Sequence, residues 1–359
     1  MLTKNLLDCL RLIRSPGIGC LTYFSLVREH GSEGSALQFL SRQGKETFSE
    51  KEAVTEIKAH EKHEAFFLTH YDAEYPQLLK HIGDYPPVLS VLGKSDVLNK
   101  PMIGIVGARN ASLHATKFAQ NLARRLCEAG YSIVSGLARG IDGAAHKGAI
   151  DAMTVAIVAG GIDQIYPTEH KDLRSKILEK GAIISEMPFG LFPGAGHFPR
   201  RNRLISGLSQ AICVIEAAKP SGSLITASYA LDQGRELFAV PGFPGDQRSI
   251  GTNHLIKQGA HVLEGVEDIL NILGTSQQTT TSLRGTIEEG LETNDTLNGN
   301  LANGLKKKIL ESLSTHPLSP EELFSVLDEE VRDIHATLLS LELQGHITRD
   351  QRGYLARVF

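Results

Sequence analysis

Residues 101–142 constrain the fold of this chain most, because they contain two strand–turn–helix units in succession. Residues 102–106 and 131–134 are short apolar runs, which are typical of fully buried strands. Between them a helix is predicted, with Ser112 as its N-cap and Gly130 at its C-terminal end. Two buried strands joined by a helix predict an α/β protein with a parallel sheet.

The alternation of strand and helix continues to about residue 240. Further strands are predicted at 154–158, 182–185, 211–216 and 236–240, and helices at 144–151, 171–179 and 224–232. Residues 66–68 and 87–92 predict extra strands at one edge of the sheet. The fold class that follows is α/β, with a doubly wound, mostly parallel sheet.

Each of the first two turns combines glycine with arginine, at residues 107–109 and at residues 135–140. Backbone N–H groups at the start of a helix are unpaired and point outward, and the helix dipole adds partial positive charge. Arginine adds a planar fork that suits phosphate oxygens. We therefore predict an anion site beyond the carboxyl ends of the strands. The alternative is that the glycines only permit tight turns and the arginines lie on the surface.

The nature of the anion is limited by motifs that the sequence lacks. No G-x-G-x-x-G follows the first predicted strand, and no G-x-x-x-x-G-K-[ST] occurs, so a nucleotide cofactor is disfavoured. The net charge of the chain is −4. Residues 105–205 nevertheless hold 13 Lys and Arg against 8 Asp and Glu, a local charge of +5. A basic region within an acidic chain favours binding of phosphates from another source.

Smaller segments flank the predicted sheet. Residues 1–62 are helical in pattern, and the connection at 15–19 resembles a helix-hairpin-helix, although a plain interaction bundle fits equally well. Residues 274–304 have the composition of a disordered acidic linker. In residues 305–359 three helices and a hairpin predict a winged helix. The third of these helices is acidic, which favours a protein contact over a DNA groove.

No metal site, cofactor or membrane segment is predicted. The four cysteines are scattered without a C-x-x-C, and the histidines lack metal-ligand spacing. There is no apolar run of membrane-spanning length and no signal peptide, so the cytoplasm is the expected compartment.

Eight motifs in order identify a family resemblance. They are VGARNAS, SGLARGIDGAAH, AGGIDQIYP, SEMP, FPRRNRLISGLS, VIEA, SGSLITA and VPGFPG. Together they resemble the DprA (Smf) family of DNA-processing proteins over about residues 60–273. The resemblance implies an extended Rossmann-like DNA-binding domain at 63–273, between an N-terminal SAM-like or helix-hairpin-helix domain at 1–62 and a C-terminal winged helix (DML1-like) at 305–359.

The same resemblance implies a function. It is that of a non-catalytic protein that binds single-stranded DNA, protects incoming strands and loads the RecA recombinase during natural transformation. Members of the family form homodimers, which places the expected interface at Asn253, Leu255, Ile256, Val262 and Leu263. The implied DNA and phosphate site comprises Arg109, Ser135, Gly136, Leu137, Arg139, Gly140, Arg201, Asn202, Arg203, Ser221, Gly222, Ser223 and Thr226, with Lys147 and Phe243 as additional candidates.

Two function classes besides DNA binding stay open at this point, a nucleotide phosphoribohydrolase and a pure interaction scaffold. Tyr166, Phe198 and Phe243 are candidates for base stacking, but for each of them a packed core ring is the favoured interpretation. Glu216 and Asp142 would lie near the same edge of the sheet, and a carboxylate pair there would favour a nucleotide phosphoribohydrolase. That class carries P-G-G-x-G-T-x-x-E where this chain has SGSLITA, which disfavours it. In a DNA-binding protein Glu216 is structural or orients Arg203, and Asp142 caps its helix. A pure interaction scaffold is the third class.

Overall fold

The computed structural model describes residues 4–274, residue 309, and residues 337–338, 341–342, 346–349 and 355–357. Four helices come first: α1 (Lys4–Arg14), α2 (Cys20–His30), α3 (Glu33–Arg42) and α4 (Glu50–Lys62). The start of α4 is fixed by a capping box, in which the Ser49 hydroxyl accepts from the Glu52 amide and the Glu52 carboxylate accepts from the Ser49 amide. The helical prediction for this region is confirmed.

Within the described residues, nine strands form one sheet. They are β1 (Ala65–Thr69), β2 (Val88–Gly93), β3 (Met102–Val106), β4 (Ser132–Ser135), β5 (Thr154–Ile157), β6 (Ala182–Ser185), β7 (Ala211–Val214), β8 (Glu236–Ala239) and β9 (His261–Val262). Their order is β1-β2-β6-β5-β4-β3-β7-β8-β9. Neighbouring strands in the series β6-β5-β4-β3-β7-β8-β9 all pair parallel. The strands β1 and β2 pair antiparallel at the β6 edge. The predicted mostly parallel sheet with added edge strands is confirmed.

In the part of the chain that the structure describes, seven helices cover the two faces of this sheet. They are α5 (Leu113–Glu128), α6 (Ile141–Gly148), α7 (Lys171–Lys180), α8 (His197–Leu208), α9 (Gly222–Asp232), α10 (Ile250–Lys257) and α11 (Val266–Leu273). Alternate residues of β3 point to opposite faces: Met102 and Val106 join a core with α8, α9 and α10, while Ile103 and Ile105 join a core with α5, α6 and α11. This arrangement confirms the doubly wound fold.

The edge strands also carry the N-terminal helices. Val88 of β2 is buried in the same core as Leu10 of α1 and Tyr23 of α2. A polar contact reinforces this packing, since Arg14 pairs with Glu56 at 3.1 Å and donates a 2.9 Å hydrogen bond to the carbonyl of Glu186. The N-terminal helices and the sheet are therefore packed into one body.

The C-terminal part contains an antiparallel hairpin of β10 (Ile347–Arg349) and β11 (Leu355–Arg357). This confirms the hairpin predicted for the winged helix. The predicted acidic linker at 274–304 lies outside the described residues except for its first residue, and so do most residues of the three helices predicted after it. Among the described residues, every helix is too short or too polar to cross a membrane.

Candidate functional site

A cavity of about 800 Å³ opens beyond the carboxyl ends of β3 and β7. The chain runs from β3 through β4 and β5 toward one edge and returns to place β7 on the other side of β3. Loops that leave β3 and β7 therefore diverge to opposite faces of the sheet and leave a crevice between them. The first predicted turn, at residues 107–109, and the turn at 221–223 both line this cavity.

Arg201 of α8 forms the buried floor of the cavity. Its Nη1 donates to the carbonyl of Gly136 at 2.6 Å and to the carbonyl of Ile157, and its Nε donates to the side chain of Asn202 at 3.2 Å. A Cβ on Gly136 would lie 2.6–2.7 Å from the guanidinium, so glycine is what permits this approach. Burial lowers the pKa of Arg201 to about 10, an effect that Asp142 opposes. The cavity thus has a fixed positive charge at its base.

Asp142 holds the turn that follows β4. Its Oδ2 accepts from the amides of Gly136 at 3.1 Å and Ala138 at 3.3 Å. The prediction that Asp142 caps its helix is wrong, because the N-cap of α6 is Gly140 and Asp142 binds the turn before the helix. Burial raises the pKa of this carboxyl, while Arg201 and the two amides act in the opposite direction. The carboxylate is committed to the backbone of the turn.

The turns after β3 and β4 are locked together. The amide of Ile141 donates to the carbonyl of Ala108 at 3.2 Å, and Gly140 has a φ of +70°. A Cβ at Gly140 would lie 2.2 Å from that same carbonyl oxygen, so the contact requires glycine. The structure therefore brings together the two turns that the sequence predicted to share a site.

An aromatic rim surrounds the mouth of the cavity. The exposed Arg109 lies over the ring of Phe198, with its Cζ 5.1 Å from the centroid. The ring of Tyr166 lies 5.5 Å from Phe198 and 6.2 Å from Phe192, centroid to centroid. Tyr166 and Phe192 are exposed rather than packed in the core, with 41% and 65% of their surface accessible.

The N-terminus of α9 forms the opposite wall. Ser221 caps this helix by accepting from the amide of Ser223 at 3.3 Å, and its hydroxyl lies 2.7 Å from that of Ser223. Asn202 fixes the wall to α8 by donating to the carbonyl of Gly222 at 3.1 Å. Thr226 also lines the cavity. Four predicted residues from 221–226 therefore lie together with Arg109, Arg201 and Asn202.

Other predicted site residues lie apart from the cavity lining. Arg203 is buried between Glu186 and Asp84, with its Nε 3.1 Å from an Asp84 oxygen. Burial disfavours its charge, but these two carboxylates outweigh burial and raise its pKa. Arg139 is exposed and paired with Glu169 at 2.5 Å. The side chains of Arg203 and Arg139 are thus engaged with acids of this chain.

Four further predicted positions have structural roles in the second turn or lie elsewhere on the surface. The Ser135 hydroxyl donates to the carbonyl of Ile105 at 2.6 Å, and Leu137 is buried with a φ of +56°. Lys147 lines a separate surface cavity on α5 and α6. Phe243 is 82% exposed in the loop after β8 and does not line the main cavity.

Three of the predicted interface residues lie on α10, and the other two lie on β9, the last strand of the sheet, and directly after it. Val262 is exposed on β9, whereas Leu255 and Leu263 are buried in the protein core. Ile256 packs partly buried against the core, and Asn253 exchanges two hydrogen bonds with the backbone of Gly242.

The sequence leaves two roles for Glu216, a structural one or the orientation of Arg203. The structure agrees with the structural role. The two oxygens of Glu216 accept from the amide and the hydroxyl of Ser112 at 2.9 and 2.6 Å, so it holds the start of α5 and not Arg203. Since Asp142 is bonded to the turn after β4, the two carboxylates serve separate backbone segments. A catalytic carboxylate pair gains no support from this geometry.

Sequence reasoning missed Phe192 in the rim and Asn110 in the lining. Phe192 belongs to the loop 188–199, whose three prolines and three glycines mark it as irregular but give no sign that it folds over the cavity. A large aromatic residue in such a loop is the one available signal. The complete cavity offers a buried cation, a helix N-terminus and exposed aromatic rings, a combination suited to a phosphate next to an unpaired base.

Comparison with known proteins covers nearly the whole chain. The family described as DNA recombination-mediator protein A matches residues 66–274. A DprA-like N-terminal HHH domain matches residues 3–59, and a DprA winged helix domain matches residues 300–351. The three matches follow the order expected from the resemblance.

Individual relatives agree with these matches. Protein Smf from Synechocystis is 34% identical over 320 residues, which cover 82% of this chain and 80% of the relative. The X-ray structure of DprA from Streptococcus pneumoniae is similar with a TM-score of 0.60 and 33% identity, over 67% of this chain and 82% of that one. DNA processing protein A from Helicobacter pylori, whose structure concerns its single-stranded DNA binding mode, gives a TM-score of 0.54 and 30% identity over 58% and 95% of the chains.

Proposed function

This chain belongs to the DNA recombination-mediator protein A family, also called DprA or Smf, and from that membership we propose that it binds single-stranded DNA in the cavity beyond β3 and β7. A role in DNA processing and recombination is what the family has in common. The finer proposal is that the bound strand is protected and passed to the RecA recombinase without any covalent step.

The observation that carries the proposal is the pairing of Arg109 and Arg201 with exposed rings in one cavity. Arg201 supplies buried positive charge at the base, and Arg109 supplies exposed positive charge at the mouth. A strand threaded past them has phosphates near both cations, because its backbone carries one charge per nucleotide. Tyr166, Phe192 and Phe198 offer faces to its bases. Stacking contributes about 1–3 kcal/mol per base and does not depend on sequence.

The same geometry favours a single strand over a duplex. Bases in a duplex are paired and stacked on each other, so they are not free to stack on Tyr166 or Phe192. Arg201 and Asn202 line the cavity, but both already donate hydrogen bonds to backbone carbonyls of the protein. Those donors are therefore not free to read base edges. Recognition would therefore rest on charge and stacking and not on base edges.

Fluorescence anisotropy with labelled single-stranded and duplex oligonucleotides, at several salt concentrations, tests this proposal. We expect salt-sensitive preference for the single strand. Arg109→Ala removes one phosphate contact and a ring partner, so affinity falls and the slope of log K against log salt decreases by about 0.7. Arg109→Lys keeps the charge but loses the planar contact with Phe198, and an intermediate affinity is expected.

Arg125→Ala is the matched control. Arg125 is also a surface arginine, with 41% of its side chain exposed, but it pairs with Glu267 on another part of the surface and does not line the cavity. If Arg109→Ala and Arg125→Ala lose equal affinity for the single strand, the binding depends only on general surface charge and not on this cavity. Absence of binding to either nucleic acid by the wild type would overturn the proposal.

The remaining parts of the proposal concern partners and compartment. We propose a homodimer formed at the β9 edge, a contact with RecA, and a cytoplasmic location. Delivery to RecA is tested by the lag before RecA hydrolyses ATP on strands covered by single-strand-binding protein. The lag shortens if this chain loads RecA, and an unchanged lag would restrict the function to strand binding.

A further inference from the structure

A second groove, of about 440 Å³, lies where the start of α2 meets the helices α8 and α9. This α2 groove is lined by Gly19, Cys20, Leu21, Thr22, Asp84, Arg200, Arg203 and Tyr229. The helix α8 is a wall that the groove shares with the main cavity, because Arg201 lines the cavity and Arg200 and Arg203 line the groove. The two concave surfaces are therefore neighbours.

The start of α2 offers backbone donors that the chain leaves unused. Gly19 is the N-cap of this helix, and no side chain caps it. The amides of Cys20, Leu21 and Thr22 have no hydrogen-bond partner within the described residues. A Cβ added at Gly19 would meet nothing within 4 Å, so the helix start is not covered there. Together with the helix dipole, these N–H groups favour an anion.

Arg203 is a second and independent sign that a ligand belongs in the groove. Its side chain is 4% exposed, its Nε pairs with Asp84 at 3.1 Å, and its Nη2 pairs with Glu186. Its Nη1 is buried without a hydrogen-bond partner in the part of the chain that the structure describes, although buried polar atoms are nearly always paired. Because Nη2 lies 3.9 Å from Cys20 Sγ, the guanidinium rests against the start of α2.

Arg200 supplies the accessible charge of the groove. Its side chain is 49% exposed, and its Nε lies 3.2 Å from Glu186 Oε1. A guanidinium has five N–H groups, so this pairing leaves donors for an anion. Asp84, with 44% of its side chain exposed, is the opposing charge in the lining. An anion that enters the groove therefore competes with Asp84 for the arginines.

The helix α9 connects the groove to the main cavity. Ile225 lines the cavity, and Tyr229, one turn later, lines the groove. Residues four apart lie on the same face of a helix, about 5–6 Å from each other. A strand that leaves the cavity over Ile225 thus reaches the groove after about one helical turn, where the half-buried ring of Tyr229 lies beside the cations.

We propose that the α2 groove is a second phosphate subsite for the single strand. The amides at the start of α2 and the Arg200 guanidinium bind the phosphate, and Arg203 supplies positive charge beneath them. The proposal rests on the proposed function, because its ligand is the strand held in the main cavity. It gives the N-terminal helices a share in strand binding, which a short strand confined to the cavity does not use.

Fluorescence anisotropy on the full-length chain, with labelled oligothymidines of about 4 and about 16 nucleotides, tests the subsite. We expect Arg200→Ala to weaken binding of the long strand several-fold and to decrease its salt slope by about 0.7, with the short strand unaffected. Arg124→Ala is the matched control. Arg124 is also exposed and paired with an acid, Glu128, but it lines neither the cavity nor the groove. Neither strand should respond to this change.

Two further variants separate binding from folding. Asp84→Asn removes the competing carboxylate, so affinity for the long strand should rise. Gly19→Asp places a carboxylate at the N-cap, where aspartate is a favoured residue. Its melting temperature should therefore not fall, whereas its affinity for the long strand should decrease because the new carboxylate occupies the amides of α2.

The outcomes distinguish this subsite from the main cavity. If the wild type binds both strands and Arg200→Ala leaves the long strand unaffected, the subsite is overturned and the main-cavity proposal stands. Equal losses on both strands in Arg200→Ala, or no gain with Asp84→Asn, would also overturn the subsite. A wild type that binds neither strand would overturn the proposed function, and the subsite with it.

Discussion

At the scale of single residues, the site depends on close contacts between backbone and guanidinium. Arg201 places three of its five N–H groups on protein acceptors, namely Gly136, Ile157 and Asn202. Its charge is therefore held in place before any ligand arrives. Preorganised charge of this kind requires no reorganisation on binding.

Gly136→Ala tests whether this contact is essential. The added Cβ would meet the Arg201 guanidinium, so we expect a loss of about 1–3 kcal/mol in the free energy of unfolding and weaker strand binding. Urea denaturation and anisotropy measure the two effects. Gly222→Ala is the control, since this glycine lines the same cavity and its added Cβ meets nothing within 4 Å. Equal behaviour of the two variants would contradict the prediction.

His146 makes the stability of the sheet depend on pH. The Thr154 hydroxyl donates to the carbonyl of Ile133, so Nδ1 of His146 must donate to that hydroxyl, at 2.7 Å. Burial, with the charges of His170 and Arg201, lowers the pKa of His146 to about 3. The unfolded chain takes up this proton near pH 6.5, and the folded chain does not. Stability is therefore complete above about pH 6.5 and falls as the pH decreases toward 3.

From these values we expect the free energy of unfolding to be about 2 kcal/mol lower at pH 5 than at pH 7 through this group alone. His146→Asn keeps a side-chain N–H for Thr154 and has no titrating group. Its stability should change less between these pH values than that of the wild type, as measured by urea denaturation. The same pH dependence in both proteins would show that other groups dominate.

At the scale of elements, helix starts were predicted better than the partners that hold them. Ser112 is the N-cap of α5 as predicted, with its hydroxyl accepting from Ala115 at 3.1 Å. Glu216, from the segment after β7, was not foreseen as its partner, because 104 residues separate the two in sequence. Local propensity determines where a cap lies, whereas the tertiary fold determines what else binds to it.

Ser112→Ala is expected to cost more than an ordinary cap. It removes the N-cap bond and leaves Glu216 without its hydroxyl donor, so we expect a loss of about 2–3 kcal/mol. Ser32→Ala is the matched control, because Ser32 caps α3 through the amide of Ser35 and lies exposed. It should cost about 1 kcal/mol. Similar values from chemical denaturation would show that the Glu216 contact adds little.

Two of the arginine predictions failed at the main cavity for the same reason, because the acidic partner of an arginine is determined by the tertiary fold and not by local sequence. The sequence assigned Arg139 and Arg203 to the DNA site because they lie beside glycine-rich or basic motifs. In the structure Glu169 pairs with the first, and Glu186 and Asp84 pair with the second. No periodicity in the sequence indicates these pairings. Strand and helix alternation was predictable because it depends on local hydrophobic pattern, and charge pairing was not because it depends on the folded chain.

At the scale of the whole molecule, the sheet has a short strand at one end. Both residues of β9 are exposed, and β9 pairs only with β8 in the part of the chain that the structure describes. Such a strand presents unpaired backbone groups that a second copy can pair with. The proposed homodimer at this edge gives it a partner. A two-residue strand has too little pattern to be predicted, and the helices α10 and α11 beside it were also not predicted.

Val262→Glu tests the proposed dimer. A charge at this exposed edge position would be buried against a second copy, so we expect sedimentation equilibrium to show monomers where the wild type gives dimers. Leu231→Glu, at an exposed apolar position on α9, should leave the dimer intact. A monomeric wild type, or dimers in the Val262 variant, would contradict the proposal.

The occupied hydrogen bonds of Arg201 have a further consequence for movement of the bound strand. Because most of its donors are held by backbone and Asn202, we expect Arg201 to act on a phosphate of the proposed strand mainly as a charge at a fixed point, without strict angular demands. The attraction then changes smoothly as one phosphate leaves and the next arrives. We expect the strand to advance through the cavity by single-nucleotide steps over low barriers. The protein would then retain the strand while allowing it to move along its own length.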